Sequence, residues 1–452
     1  GNKEEMCLLL SSLNEFIKSS PETFFEVLFL SRFGQSLQNA DNYLNDYKEN
    51  GDEFILNPLW QLLSSVFNKL RVINKEMKNI SLKDASPFLY EIQDSKIGVP
   101  GMFTCNKSLI TINKFKQILK IIKSKQRPRK IVIFGSNGQK YKFLLKANED
   151  TRLDERVMQL FSYINSFVEN SNLQLKSRLK VSTYKVIPLT RKVGLIGWVP
   201  KCTTLFDLIK QYRNKYKIEL EQEYSYLKKN YPNYDYLPLP KKKEAFEKCI
   251  EITDGNDIKH ILFSGTKAYH DWLERRTNYS TSLAMNSMLG YILGLGDRHL
   301  CNIMMQNNTS KLVHIDFGDC FEVALSRNQY PEKVPFRLTR MLLNSLEVSK
   351  IEGTFRSCCE EGMLLLRNNN THIMYLLESF IYDPLILWTE NEKDYKNNDI
   401  MKIVNRIKDK LTGKDFSPSQ KFNVSEQVDA LIKQATDPSN LCQMYKGWSP
   451  WW

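Results

Sequence analysis

The 452-residue sequence contains no charge-free apolar run of about 18 residues, so no segment reads as a membrane span. Its start, GNKEEMCLLLSS, lacks the basic-then-apolar order of a signal peptide. The nine cysteines include no C-x-x-C pair, and Cys358 and Cys359 are adjacent, which rarely allows a bridge. An odd, scattered set of this kind points to reduced thiols and an intracellular protein. Triplets such as Asn278-Tyr279-Ser280 therefore carry no glycan reading. No zinc-finger spacing and no RNA-binding sheet signature appears, so nucleic acid is not an expected partner. Internal repeats are absent as well.

What is present is ordinary in bulk. With 42% hydrophobic and 25% charged residues, the composition is that of a globular protein. The length suggests about two to four folded units, large enough to hold together without disulfides. The formal charge of +13 has a bland reading, a lysine-rich surface, and a functional one, attraction to phosphate-rich partners.

Helical spacing opens the chain: Leu8, Leu9, Leu13 and Phe16, then Trp60, Leu63, Val66, Phe67 and Leu70. Asp52 and Asn57, with Pro58 behind it, are expected to cap the second helix. Residues 1–75 thus read as a compact helical bundle. Beyond residue 85 come strand-like runs, LITI at 109–112, KIVIFG at 130–135 and KYKFLLK at 140–146. Ser136-Asn137-Gly138 gives a hairpin turn, since Asn-Gly readily takes positive φ. A helix is expected from Asp154 to Glu169, with Val157, Leu160, Phe161 and Ile164 on one face, followed by the strand-like YKVIPL and GLIGWV. This makes 85–200 a small β-rich lobe. Residues 201–417 read as mainly helical, with a polar, Tyr-, Lys- and Glu-rich insert at 212–243 read as a helix pair, either partner-binding or solvated. The charged stretch 391–420 reads as a flexible join, and 418–452 as a terminal module. The fold class is α+β.

The chemistry concentrates in 294–319. NIMM and LVHI, joined by QNNTSK, form a predicted hairpin whose open end brings Asn302 and Asp316 together. An amide oxygen beside a carboxylate is a hard-oxygen pair suited to Mg²⁺. Asp297 stands five residues before Asn302, and Asp316-Phe317-Gly318 follows; this is the Asp-to-Asn spacing and the DFG of a protein-kinase catalytic loop. The order Asp297-Arg298-His299 inverts the usual His-Arg-Asp, as in phosphatidylinositol kinases and their protein-kinase relatives.

On these residues the chain resembles the TOR kinases of the phosphatidylinositol-3-kinase-related family. The resemblance runs from about residue 85 to 452 through SKQRPRK at 124–130, GSNG at 135–138, DERVMQLF at 154–161, GLIGWVP at 194–200, RRTNY at 275–279, GYILGLGDRH at 290–299, HIDFGDCFEVA at 314–324, PFRLTRM at 335–341, DKLTGKDF at 409–416 and LCQMYKGWSPWW at 441–452. It implies a bilobal protein-kinase-like fold, a small β-rich N-lobe and a large helical C-lobe, preceded by the all-α bundle. It also implies a serine/threonine protein kinase using ATP and Mg²⁺, with Mn²⁺ as a substitute, acting on protein substrates and controlling growth in response to nutrients. The cytoplasm is the implied location, with peripheral attachment to endomembrane surfaces.

Residue by residue, the resemblance makes Asp297 the group that orients the substrate hydroxyl and His299 a contact of the transferring phosphoryl group. Asn302 and Asp316 become the metal ligands, and Lys146 the phosphate-binding lysine, anchored by Glu149 or Asp154. Ser136 would cap the phosphates. The nucleotide pocket would draw on Leu144, Tyr184, Ile196, Trp198, the Val199 backbone, Thr204, Met304 and Ile315, whose bland reading is core packing.

Residues 1–75 resemble the family's rapamycin-binding bundle through FEVL at 25–28, SRFGQSLQNADNYLNDYKENGD at 31–52 and NPLWQLLSSVF at 57–67. Trp60 and Phe67 fall on its drug and substrate groove; their bland reading is a helix core. An immunophilin–rapamycin complex is the implied partner, although the stretch between FEVL and SRFG is short and Gln61 replaces the usual Asp. The 212–243 insert lies where the family binds a WD40-propeller partner. WTENEKDYKNND at 388–399 is short where relatives carry a long insert. The terminal module, of FATC type, keeps Cys442 but has Ser449 at the second cysteine's place; Trp448, Trp451 and Trp452 either pack on the lobe, the favoured reading, or enter a membrane interface.

Two alternatives stand beside this. A lipid kinase would place a basic run after DFG, but Asp319 to Val334 holds only Arg327 and Lys333 against Asp319, Glu322 and Glu332. An inactive scaffold would have lost a key residue, but Lys146, Asp297, Asn302 and Asp316 are all present.

Overall fold

A computed structural model describes the chain except for residues 1–7, 12–14, 16, 17, 19, 22, 23, 106, 125, 172–177, 265, 267, 328, 383–396, 418 and 419. Leu13, Phe16 and most of the 388–399 segment lie outside the described residues. Two compact units form: residues 1–151 with 187–198, and residues 152–186 with 199–452.

The first unit opens with α1 (Phe24–Asn50) and α2 (Leu56–Glu76). Phe33 and Leu37 pack on Val66, while Ala40 and Leu44 pack on Leu59. Those α1 positions recur at helical spacing and form one apolar stripe. On α2, Leu59 and Val66 lie seven residues apart and face inward. Trp60 and Phe67, one residue further on, are rotated outward and are 47% and 64% exposed. The core reading of this pair is thereby corrected. So is part of the capping: Asp52 accepts the Phe54 N–H at 3.0 Å and caps a short 3₁₀ turn, whereas Asn57 falls inside the helix.

The same unit carries a seven-stranded sheet. Its strands are β1 (Asn79–Ser81), β2 (Ile112–Phe115), β3 (Ile118–Ile121), β4 (Arg129–Gly135), β5 (Lys140–Ala147), β6 (Val186–Thr190) and β7 (Val193–Gly197). The order is β1-β3-β4-β5-β7-β6, with β2 on β4. Ile131, Ile133, Phe143 and Leu195 make its core with Ile112 and Leu119. The β4–β5 turn is the expected hairpin: Gly138 takes φ +73°, and the Gly135 N–H donates to the Gln139 carbonyl at 3.0 Å. The LITI run differs from expectation. Only Ile112 belongs to a strand, because the Ile110 carbonyl is taken by the Val99 N–H at 2.8 Å.

In the second unit, α3 (Arg152–Asn170) buries Val157, Leu160, Phe161 and Ile164. A three-stranded sheet follows, β8 (Cys202–Thr204), β9 (Ile303–Gln306) and β10 (Leu312–His314), in the order β10-β9-β8. The polar insert is a helix pair, α5 (Gln222–Asn230) and α6 (Leu239–Ile250), following α4 (Leu205–Lys215). Fully buried Arg213 ties α4 to Glu223 and to Asp257 of α7 (Asp257–Ser264), both at 2.7 Å. A buried guanidinium of this kind is tolerated only with such complete pairing.

The long α8 (Tyr269–Leu293) is buried throughout from Tyr279 and leads into the 294–302 segment. It ends at Gly294, φ +58°, where a Cβ would come within 2.6 Å of the Glu322 nitrogen. Glycine satisfies both the left-handed C-terminal position and the close approach. Beyond it, α9 (Arg340–Asn344) and α10 (Thr354–Asn368) pack in the same unit, followed by α11 (Asn370–Ile381). Within the 391–420 stretch expected to hold a flexible join, Asn397–Thr412 is instead a helix, α12, which buries Val404, Ile407 and Leu411; residues 391–396, 418 and 419 lie outside the described residues. A capping box from Asn423 and Glu426 then starts α13 (Val424–Thr436). The three terminal tryptophans are each 3% exposed. Arg337 sits 4.1 Å over Trp448, Tyr224 stacks on Trp451 and Phe206 on Trp452. They pack on the lobe and leave no ring for a membrane.

Candidate active site

Two short apolar runs, 303–305 and 312–314, build the β9–β10 hairpin, with Ile303 opposite His314 and Met305 opposite Leu312. At its open end the Ile315 N–H donates to the Asn302 carbonyl at 3.0 Å, which places Asp316 beside Asn302. The Asn302 amide nitrogen donates to the Asp297 carbonyl at 2.9 Å and approaches its carboxylate at 3.4 Å. Those bonds use the amide N–H and leave the amide oxygen for another partner. Asp297, Asn302 and Asp316 therefore share one end of one hairpin. Buried Arg298 fastens them: its Nε donates to the Gly296 carbonyl and one terminal nitrogen to the Ile315 carbonyl, both at 2.8 Å, and the other bonds the Asp316 carbonyl.

Asp297 (φ +56°) and Asp316 (φ +62°) both lie in the left-handed region that non-glycine residues avoid. Such outliers cluster where the surrounding structure imposes them for function. Burial raises the Asp297 carboxyl above its ordinary range; His299, Arg298 and Arg327 oppose the rise and Asp319 adds to it. Burial lowers the His299 imidazole, against the pull of Asp297 3.9 Å away. His299 Nδ1 accepts the Cys301 N–H at 3.2 Å, which leaves Nε2 toward Asp297. A cavity of about 310 Å³ opens on Asp297 and His299, walled by Arg327, Tyr330, Tyr445 and Trp448.

Among the described residues, no group of three or more His, Cys, Asp or Glu side chains is arranged to hold a metal. An Asn–Asp pair suits a divalent cation whose remaining ligands are phosphate oxygens and water. Asp154 belongs to the same neighbourhood: its carboxylate accepts the Phe317 N–H of the DFG segment at 2.9 Å. Burial, with Asp154 and Asp316 close by, holds the Tyr184 phenol protonated well above its ordinary range. Tyr184 thus stands near Asp316 as well as being a candidate pocket wall. Met304 pairs across the sheet with Thr204 and Val313, and Thr204 caps α4 by accepting the Asp207 N–H at 3.1 Å. Val199 follows directly where the chain enters the second unit.

In the first unit, Lys146 near the end of β5 is 12% exposed and lies 3.1 Å from Glu149, one of its two candidate anchors. Leu144 and Ile196 are cross-strand partners on β5 and β7. Trp198 carries the Lys130 ammonium 3.6 Å from its ring centroid, a cation–π contact. The Ser136 hydroxyl accepts the Thr111 N–H at 3.1 Å, so this side chain braces its own turn.

Sequence reasoning missed two groups. Glu332 accepts the Asp297 N–H at 2.9 Å from 35 residues away. Arg337 donates to the Trp448 carbonyl at 2.6 Å and the Ser449 carbonyl at 2.8 Å, and reaches the Arg298 carbonyl at 3.3 Å. The only signal for Arg337 was its place in the PFRLTRM run.

Three family models match the chain. The Phosphatidylinositol 3- and 4-kinase model covers residues 140–390, the FATC domain model 421–452, and the FKBP12-rapamycin binding domain model 1–72. The chain is 40% identical to the serine/threonine-protein kinase tor1 of Schizosaccharomyces pombe, an alignment taking in 98% of this chain and 21% of that protein. Against mTor of Drosophila melanogaster identity is 39%, and against TOR2 of Saccharomyces cerevisiae 40%, each over 100% of this chain and 20% of the relative. The chain therefore spans about a fifth of the length of these relatives. Among solved structures, the FAT and kinase domain of CtTel1 superposes with a TM-score of 0.73 at 26% identity, over 99% of this chain and 34% of that one.

Proposed function

Because this chain belongs to the phosphatidylinositol 3- and 4-kinase family, we propose that it is an ATP-dependent serine/threonine protein kinase of the TOR type. One observation carries the reading: a single hairpin end gathers Asp297, Asn302 and Asp316. Asn302 and Asp316 would hold Mg²⁺, or Mn²⁺ in its place; when bound, such an ion neutralises charge on the phosphate oxygens. Asp297 orients the incoming hydroxyl and takes its proton late, as expected for a reaction in which positioning outweighs covalent chemistry. His299 stands ready to donate to the transferring group. Lys146 and Ser136 are assigned to the phosphate tail, and Leu144, Ile196, Trp198, Val199, Thr204, Met304, Ile315 and Tyr184 to the nucleoside.

A protein substrate is favoured over a lipid. Arg327, one of two cations in the 319–334 loop, is paired with Asp319 and lies 3.7 Å from Glu332, and Lys333 bonds Gln443 at 2.8 Å. The loop carries no basic run to meet an inositol phosphate. An immunophilin–rapamycin complex is assigned to the exposed Trp60 and Phe67, a WD40-propeller partner to the α5–α6 pair, and growth control at cytoplasmic endomembrane surfaces to the protein as a whole. The test is transfer of labelled phosphate from ATP, with Mg²⁺ or Mn²⁺, to a protein substrate and to phosphoinositide vesicles. Label on protein Ser/Thr is the expected result; label on lipid alone, or none, would overturn the reading.

A further inference from the structure

We infer that Glu332 is a positioning residue for the proposed transfer: its carboxylate holds the Asp297 backbone in the conformation that aims the catalytic side chain. The inference rests on the kinase reading of this site. The Asp297 N–H donates to Glu332 Oε1 at 2.9 Å, and the acceptor side chain is 11% exposed. Asp297 has φ +56°, a left-handed conformation that Asp tolerates better than most side chains and that a bond to its N–H helps to hold. A bond to its own N–H constrains the rotation that sets where the side chain points.

Glu332 is itself held. Its N–H donates to the Ala324 carbonyl at 3.1 Å, and Arg327 stands 3.7 Å from its carboxylate while also pairing with Asp319. One residue before Asp297, the Gly296 N–H donates to the Asp319 carbonyl at 2.8 Å, and a Cβ on Gly296 would fall 2.2 Å from the Ala324 Cβ. Two consecutive N–H groups of the catalytic loop are thus taken by the 319–332 segment, one by backbone and one by the Glu332 side chain. The side-chain bond is the one that substitution can remove. Arg327 offsets the Glu332 charge, so the carboxylate can serve as an acceptor close to Asp297. Glu332 touches the backbone of the catalytic residue and acts through it.

The test measures steady-state kinetics and ATP affinity of the purified full chain with Glu332→Ala, Glu332→Met and Glu332→Gln. Met keeps the volume and removes the strong acceptor; Gln keeps an acceptor and removes the charge. The expected result is a fall in kcat of roughly 10- to 100-fold in the Ala and Met variants, the scale of a misplaced catalytic group. KM for ATP should stay within about twofold, and Gln should recover most of the loss. Wild-type kcat in the Met variant, a Gln variant as slow as Met, or loss of ATP binding and thermal stability in Met would each overturn the inference. Failure of the unaltered chain to transfer phosphate would instead remove the kinase reading, and the inference with it.

Discussion

Asp316 illustrates how much a single residue does here. Its backbone is in the left-handed region, its carbonyl is clamped by Arg298, and its charge bears on the buried Tyr184 phenol. Asp316→Ala should leave the fold intact and remove the metal dependence of nucleotide binding, read as loss of the Mg²⁺-induced gain in ATP affinity by calorimetry. An unchanged gain would take Asp316 out of the metal site. His314, two residues earlier, shows the opposite use of a polar group: burial pushes its imidazole on β10 down to about 3, so it sits neutral and serves the core. Spacing alone cannot tell these roles apart, because both residues come from the same apolar-flanked run.

At the scale of elements, the α1–α2 pair separates packing from recognition. Leu59 is 1% exposed, and Leu59→Ala should cost about 2–5 kcal/mol through lost burial and the cavity left behind. Trp60→Ala and Phe67→Ala should change stability by less than about 0.5 kcal/mol while abolishing capture by an immunophilin–rapamycin complex. Urea denaturation and a pull-down check both statements. The hairpin of 302–316 is legible in the sequence because two short apolar runs flank a turn-rich hexapeptide, so local pattern and long-range pairing agree. The helix 397–412 is not, because its buried apolar residues Val404, Ile407 and Leu411 are interspersed with Lys402, Arg406, Lys408 and Asp409, and Lys410 is itself buried against the pattern. Glu332 is invisible for a different reason. Its bond to Asp297 joins positions 35 apart, and nothing in the surrounding letters marks a carboxylate that will be spent on a backbone N–H.

At the scale of the whole molecule, buried polar networks of the second unit brace the 294–302 segment. Glu322, whose backbone N–H donates to the Gly294 carbonyl at 2.9 Å, pairs with buried Lys410 at 2.6 Å and with Arg406 at 3.3 Å. The α8 residue Tyr291 bonds Asp415 through its hydroxyl, and Gln427 donates to the same carboxylate at 3.0 Å. Burial pushes Asp415 up to about 6 from an ordinary 3.8. Its folded pKa is raised, so the folded chain binds the proton more tightly. The contribution to stability is full below about pH 4 and is lost as pH rises through about 6. Asp415→Asn should therefore flatten the pH dependence of Tm between about 4 and 6. Allowing for solvent screening of this partly exposed group, it should stabilise the chain at pH 7 by roughly 1 kcal/mol. An unchanged slope would place the titration elsewhere. The terminal tryptophans belong to the same bracing: Arg337 links the Trp448 and Ser449 carbonyls to the Arg298 carbonyl.

The most direct measurement is the single-turnover rate of phosphate transfer from ATP to a protein Ser/Thr, compared between the unaltered chain and Asp297→Ala, with ATP affinity measured in parallel. The account predicts a rate lower by roughly 10²–10⁴-fold, with ATP affinity nearly unchanged. Equal rates in the two proteins would contradict it.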